Sequence, residues 1–258
     1  MNTMVIGATF AAGLFIGILV LIRVGRSIGV RRLAADGESA SKGFGAVEGA
    51  IFGLLGLVLA FLFSGALSRF DARRQLVVEE VNDIGTAWLR IDLLPTGAQP
   101  GMRDLFRKYL DSRIATYKKL PDIDAAKSEL AESSTLQLEI WELAVSATQG
   151  GASAQAPMLL LPALNAMFDI TTARTEAARI HPPTVIYVML GALALACSLF
   201  AGYDMATRKH NITLHSLAFA LVLSVTVYVI FDLEYPRIGL IRMTDSDEVL
   251  VSLRTSMN

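Results

Sequence analysis

The chain has 258 residues, of which 53% are hydrophobic and only 18% are charged, and its mean hydropathy is +0.50. Soluble domains average about 45–50% apolar and about 25% charged residues, so this balance is that of a membrane protein. A net charge of −1 gives no electrostatic footprint for nucleic acid, and the single cysteine, Cys197 in an apolar run, excludes disulfides and cysteine-rich zinc sites.

Four apolar runs approach or exceed the ~18 residues needed to cross hydrocarbon. Residues 4–22 carry no charge and no Lys or Arg precedes them. The run outlasts a secretory h-region, so it predicts a retained membrane helix rather than a signal peptide. Residues 46–67 carry only Glu48, residues 184–202 carry nothing charged, and residues 213–231 contain only His215 as a titratable group. The predicted layout is a first membrane helix pair over 1–67, an extramembrane insert over 68–182, a second pair over 183–233 and a short tail over 234–258. An even number of spans puts both termini on one side. Basic residues near the span ends are equal in number on the two sides, so the positive-inside rule leaves orientation open.

The insert reads as helical throughout, with no strand-period alternation. Phe70, Val77, Val81, Ile84, Trp88 and Ile91 form a heptad-like seam in which Arg74 fills the polar slot, and Pro95 stops it. The string TGAQPG then reads as a loop. Further helices are predicted over 102–120, 123–147 and 158–179, with TQGGASAQAP as a break between the last two. No proline separates the second span from the seam, so one helix could run through both. From 46 to 94 it would be roughly 73 Å long, against a hydrocarbon core of ~30 Å.

The catalytic search is negative: there is no HExxH, Walker loop, GxSxG or strand-borne GxGxxG. An enzyme is therefore not expected, and no cofactor or resident metal is implied. His210 and His215, five apart on a helix, would point about 140° away from each other, which argues against a metal pair. Glu79, Glu80 and Asp83 are close enough along a helix to meet a hard cation, or else they form a solvated face whose acids pair with arginines. The acidic string with Asp245, Asp247 and Glu248 reads as an exposed loop or a metal clasp. Glu48 and Asp232, at span ends, either sit at the interface or line a vestibule that favours cations; Ser64 is the matching vestibule position on the second span.

That second span also carries a small-residue stripe: Gly45, Gly49, Gly53 and Gly56, followed by Ala60 and Ser64. Such a stripe serves close helix packing, or crowding around a symmetry axis. Gly53, Leu57 and Phe61 make an overlapping row one turn apart. Repeated around an axis, that row would form a hydrophobic constriction, although lipid-facing residues would read the same.

The stretch GLLGLVLAFLFSGALSRFDARRQL (53–76) is similar to the second-helix signature of bestrophins: Ala60-Phe61, then Ser64 to Ser68, then Arg69-Phe70-Asp71-Ala72-Arg73. ARIHPPTVIYV (178–188) resembles their proline-rich entry into the third helix. GAVEGAIFGLLGLVLAF with SRFDARRQLVVEEVNDIGTA looks like the bacterial bestrophin-like membrane family. The resemblance implies an all-α membrane protein with four transmembrane helices and a helical insert between the second and third. It also implies a homo-pentameric ion channel of the bacterial inner (plasma) membrane, with lipid and small inorganic ions as partners and the insert on the cytoplasmic side. Phe61, with Leu57 and Gly53 one and two turns before it, would form the pore neck. A non-conducting scaffold or sensor, whose insert docks a partner through the 70–91 seam, is the alternative.

Overall fold

The computed structural model describes residues 3–36, 45–149, 154–207, 212–237 and 239–257. They form eight α-helices and two short 3₁₀ turns, with no strand among the described residues: α1 (Thr3–Asp36), α2 (Gly45–Arg90), α3 (Gln99–Lys118), α4 (Ile123–Gln149), α5 (Gln155–Arg179), α6 (Thr184–Asp204), α7 (Ile212–Glu234) and α8 (Thr244–Ser256). The chain divides into two compact units, one of residues 1–68 with 181–235, the other of 69–180 with 236–258. Helix α2 passes through the boundary without interruption.

The first unit holds α1, the first half of α2, α6 and α7. Four segments of the chain, containing these helices, are long and apolar enough to cross a membrane. Their shared core includes Leu14, Ile18 and Ile22 of α1, Leu55 of α2, Cys197 of α6 and Val227 of α7. The closest packing is between α1 and α6, and glycine makes it possible. A Cβ on Gly25 would stand 2.0 Å from the Leu199 carbonyl oxygen, and one on Gly202 would stand 2.1 Å from that of Ile22. Contacts advance together along both helices, Gly17 meeting Leu195 and Gly29 meeting Tyr203, so α1 and α6 run in the same direction. Helix α1 continues past the apolar run of 4–22 to Asp36. Gly25 and Gly29 are tolerated there because the backbone approach returns more dispersion contact than the helix loses in propensity.

The second unit packs the rest of α2 with α3, α4, α5 and α8 around Ile84, Phe106, Ile140, Leu164, Met167 and Leu250. Helix α3 begins at Gln99, so the end of the TGAQPG string is its first turn; Pro100 fits there because early N–H groups lack helical partners. Helix α5 continues through Pro162. The guanidinium of Arg90 donates to the neighbouring carbonyl of Leu159, supplying a side-chain donor beside the gap in the ladder. The tail from residue 236 folds with the insert helices. Met243, Leu250 and Met257 are buried in the unit's core, Arg254 holds Asp111 through both oxygens, and Arg107 donates to the Met257 carbonyl at 2.8 Å.

The seam on α2 is rotated by about one residue from its apolar reading. The fully turned-in residues are Arg73, Val77, Glu80, Ile84, Ala87 and Ile91, in strict steps of four and three. Phe70, Val81 and Trp88 flank them half-buried. Arg74 faces outwards to Asp71, and it is Arg73 that turns in, donating to the carbonyls of Ala177 and Ile180 at 2.9 Å each.

Candidate functional site

The first half of α2 has two unlike faces. One carries Leu55, Ala66 and flanking Ile51, Phe52, Leu59 and Leu62, which pack into the first unit; the Phe52 ring meets Phe219 edge-on at 6.3 Å. The other carries Gly49, Gly53, Gly56, Leu57, Ala60, Phe61 and Ser64, all exposed. Leu57 is 52% and Phe61 69% exposed. A Cβ added at Gly45, Gly49, Gly53 or Gly56 meets nothing within 4 Å. Among the described residues, the stripe therefore serves no close contact. The glycines that do so include Gly17, Gly25 and Gly29 of α1 and Gly202 of α6, which the apolar pattern concealed.

The structure brings Gly53, Leu57, Phe61 and Ser64 onto this one face. Glu48 lies elsewhere: five residues before Gly53, it points about 140° away, within electrostatic reach of Asp204. Asp232 is buried at the other end of the spans, beside Tyr228. The sequence reading missed a second carboxylate there, Glu234, which is also buried. Its Oε2 lies 3.5 Å from His181 Nδ1, and the imidazole stacks on Tyr235 with centroids 4.5 Å apart. A charged residue two positions beyond Asp232 at the end of an apolar run was the available signal. His215 is exposed, and His210 lies outside the described residues.

Glu79, Glu80 and Asp83 are divided between two environments. Glu79 is exposed and Asp83 half-buried within its field. Glu80 turns inwards, with no exposure, and is shared by two arginines: Arg113 Nε donates to Oε1 at 2.6 Å, and Arg174 pairs with Oε2. No group of three His, Cys, Asp or Glu that could hold a metal ion occurs among the described residues. In the acidic string Asp247 binds Arg237 through both oxygens and Glu248 is exposed, while the Asp245 side chain lies outside the description. Arg113, which sequence reading also missed, stands four residues from both Tyr109 and Tyr117. A cation centred in an aromatic stripe is a readable sign of burial.

Fold and site together define an all-helical, multi-pass membrane protein whose second span keeps an apolar face uncovered. The sequence matches the Bestrophin-like domain over residues 12–247. The chain belongs to the bestrophin-like family. It is similar to a bacterial bestrophin homologue from Klebsiella pneumoniae, with a TM-score of 0.69 and 14% identity, covering 93% of this chain and 98% of that one. A point mutant of that homologue gives 0.69 and 15% over 94% of this chain and 98% of its own. A structure described as a membrane protein point mutant gives 0.71 and 14%, covering 94% of this chain and 97% of that one. At such identities the likeness establishes the fold. No curated protein matches the chain by sequence.

Proposed function

We propose that the chain is the subunit of an oligomeric ion channel, five copies setting the uncovered face of α2 around a common axis. The observation that carries this reading is the pairing of Leu57 and Phe61, one turn apart, exposed, and flanked by glycine, alanine and serine. Large apolar residues at a constriction gate by dewetting, and small neighbours let copies crowd the axis. Gly53, Leu57 and Phe61 would then form the neck and Ser64 the adjoining polar wall. Glu48, turned away from this face, and Asp232, buried at the opposite end of the spans, stand outside the proposed pore wall. Membership of the family supports the channel reading over the scaffold. So does the α2 seam: Val77, Ile84 and Ile91 are buried in the unit's own core, leaving no seam for a partner helix.

The test is ion flux from liposomes containing the purified protein. The parent chain conducts, and Phe61→Ala and Leu57→Ala each raise the flux several-fold by removing a hydrophobic barrier. A detergent-solubilised mass near five times the 27.8 kDa chain accompanies this result. Well-folded protein that passes no ion, at acid and alkaline pH and with calcium, refutes the channel. We place the insert on the cytoplasmic side of the inner membrane. In a Cys197→Ser background, a cysteine placed at exposed Leu138 should resist a membrane-impermeant thiol reagent in intact spheroplasts, and labelling would reverse the orientation.

A further inference from the structure

Three arginines converge on one tyrosine inside the insert unit. The guanidinium groups of Arg174, Arg237 and Arg113 stand 4.0, 4.2 and 5.2 Å from the centre of the Tyr117 ring. Among the described residues two carboxylates answer them. Glu80 pairs with Arg113 and Arg174, while Asp247 holds Arg237 at 2.6 and 2.9 Å and reaches Arg174 Nη2 at 4.0 Å. Burial and the neighbouring Arg237 lower the Arg174 pKa to about 9, still above neutral pH, so at pH 7 the three guanidinium groups outnumber the described carboxylates by one charge.

Water does little to screen that surplus. The side chains of Glu80 and Arg113 have no exposure and Arg174 has 5%. An uncompensated charge in such surroundings is strongly unfavourable, and a buried water would satisfy a donor without cancelling it. A donor for a further acceptor is also present. Arg113 gives Nε to Glu80 and Nη2 to the Tyr117 hydroxyl, whereas its buried Nη1 has no hydrogen-bond partner. Exposure rises to 18% at Arg237 and 28% at Asp247, so the cluster opens to solvent along that rim.

We propose that a small inorganic anion of the chloride class binds in this cluster, against Arg113 Nη1 and Arg174, and completes its charge balance. Arg113 has no exposure and the approach lies along the partly exposed Arg237 and Asp247, which favours a compact ion over a bulky one. The inference is independent of conduction, since every residue it uses lies in the insert unit.

Trp88 and Trp141, the only tryptophans, pack against this unit's core, so tryptophan fluorescence follows its unfolding. The full-length protein in detergent is melted in sodium chloride and in sodium gluconate at equal ionic strength. Chloride is expected to raise the midpoint by about 5 °C once it stands at about a hundredfold its dissociation constant. Arg174→Gln leaves Glu80 with Arg113 and Asp247 with Arg237, and should lose the rise. A parent midpoint indifferent to chloride, or an equal rise in the variant, overturns the proposal. Should Arg174→Gln not fold, crystals grown in bromide decide. An anomalous peak within hydrogen-bonding reach of Arg113 Nη1 supports the site, and no peak there removes it.

Discussion

Glu80→Gln keeps the shape of a buried side chain and removes only its charge. In the parent chain this carboxylate is the shared partner of Arg113 and Arg174, and all three are cut off from solvent. Breaking a buried ion pair from one side costs about 3–5 kcal/mol, because the remaining charge has neither water nor a counter-charge. Arg113 loses its carboxylate outright, while Arg174 keeps Asp247 at 4.0 Å, so this case falls within that range. Domains of 150–250 residues lose about 2–4 °C per kcal/mol and smaller ones more, so the unit's midpoint should fall by at least about 6 °C. Melting followed by tryptophan fluorescence reads the change. Glu79→Gln, at the exposed neighbouring position, is the control and should stay within ~0.5 kcal/mol of the parent. If Glu80→Gln melts within about 2 °C of the parent, the account of this network as a tightly held buried pair is wrong.

Glycine position should decide tolerance in the membrane helices. Gly202→Ala drives a Cβ into the Ile22 carbonyl, which neither backbone can avoid without parting α1 from α6. A loss of about 1–3 kcal/mol is expected, measured as the melting midpoint in detergent. Gly53→Ala meets open space and gains up to about 1 kcal/mol of helix propensity, so it should leave stability unchanged or raised while altering flux. The reverse order of the two variants would contradict the packing described. Burial raises the pKa of the Tyr117 phenol above its ordinary 10.0, and Arg113 beside it lowers the effect without cancelling it. An acid whose folded-state pKa is raised contributes stability that is present below the unfolded value and lost as pH rises through the folded one. The insert should therefore weaken above pH 10.0 as that phenol ionises, and Tyr117→Phe should flatten this alkaline slope; an unchanged slope would assign the loss to other groups.

Apolar runs of hydrocarbon length and helical spacing of Leu, Ile and Phe are local properties of the chain, and they were enough to place four spans and a helical insert. The same reasoning made one helix of the second span and the seam, since nothing between Gly45 and Arg90 forbids helical backbone. Recognition of 53–76 and 178–188 carried the family, and it selected the row of Gly53, Leu57 and Phe61. Hydropathy failed where charge lies inside. Arg73 and Glu80 occupy interior positions of the seam, but an isolated sequence gives a charged residue no reason to turn inwards. Only the tertiary structure supplies the partners, Arg113 and Arg174 for Glu80 and two helix-end carbonyls for Arg73, and so fixes the rotation of α2. Glycine divides in the same way. Sequence does not tell one glycine from another; the fold decides that Gly25 and Gly202 bring backbones together and that Gly53 faces nothing among the described residues. Whether a residue without a side chain serves contact or leaves space depends on what stands opposite, and that is a property of the packed chain alone.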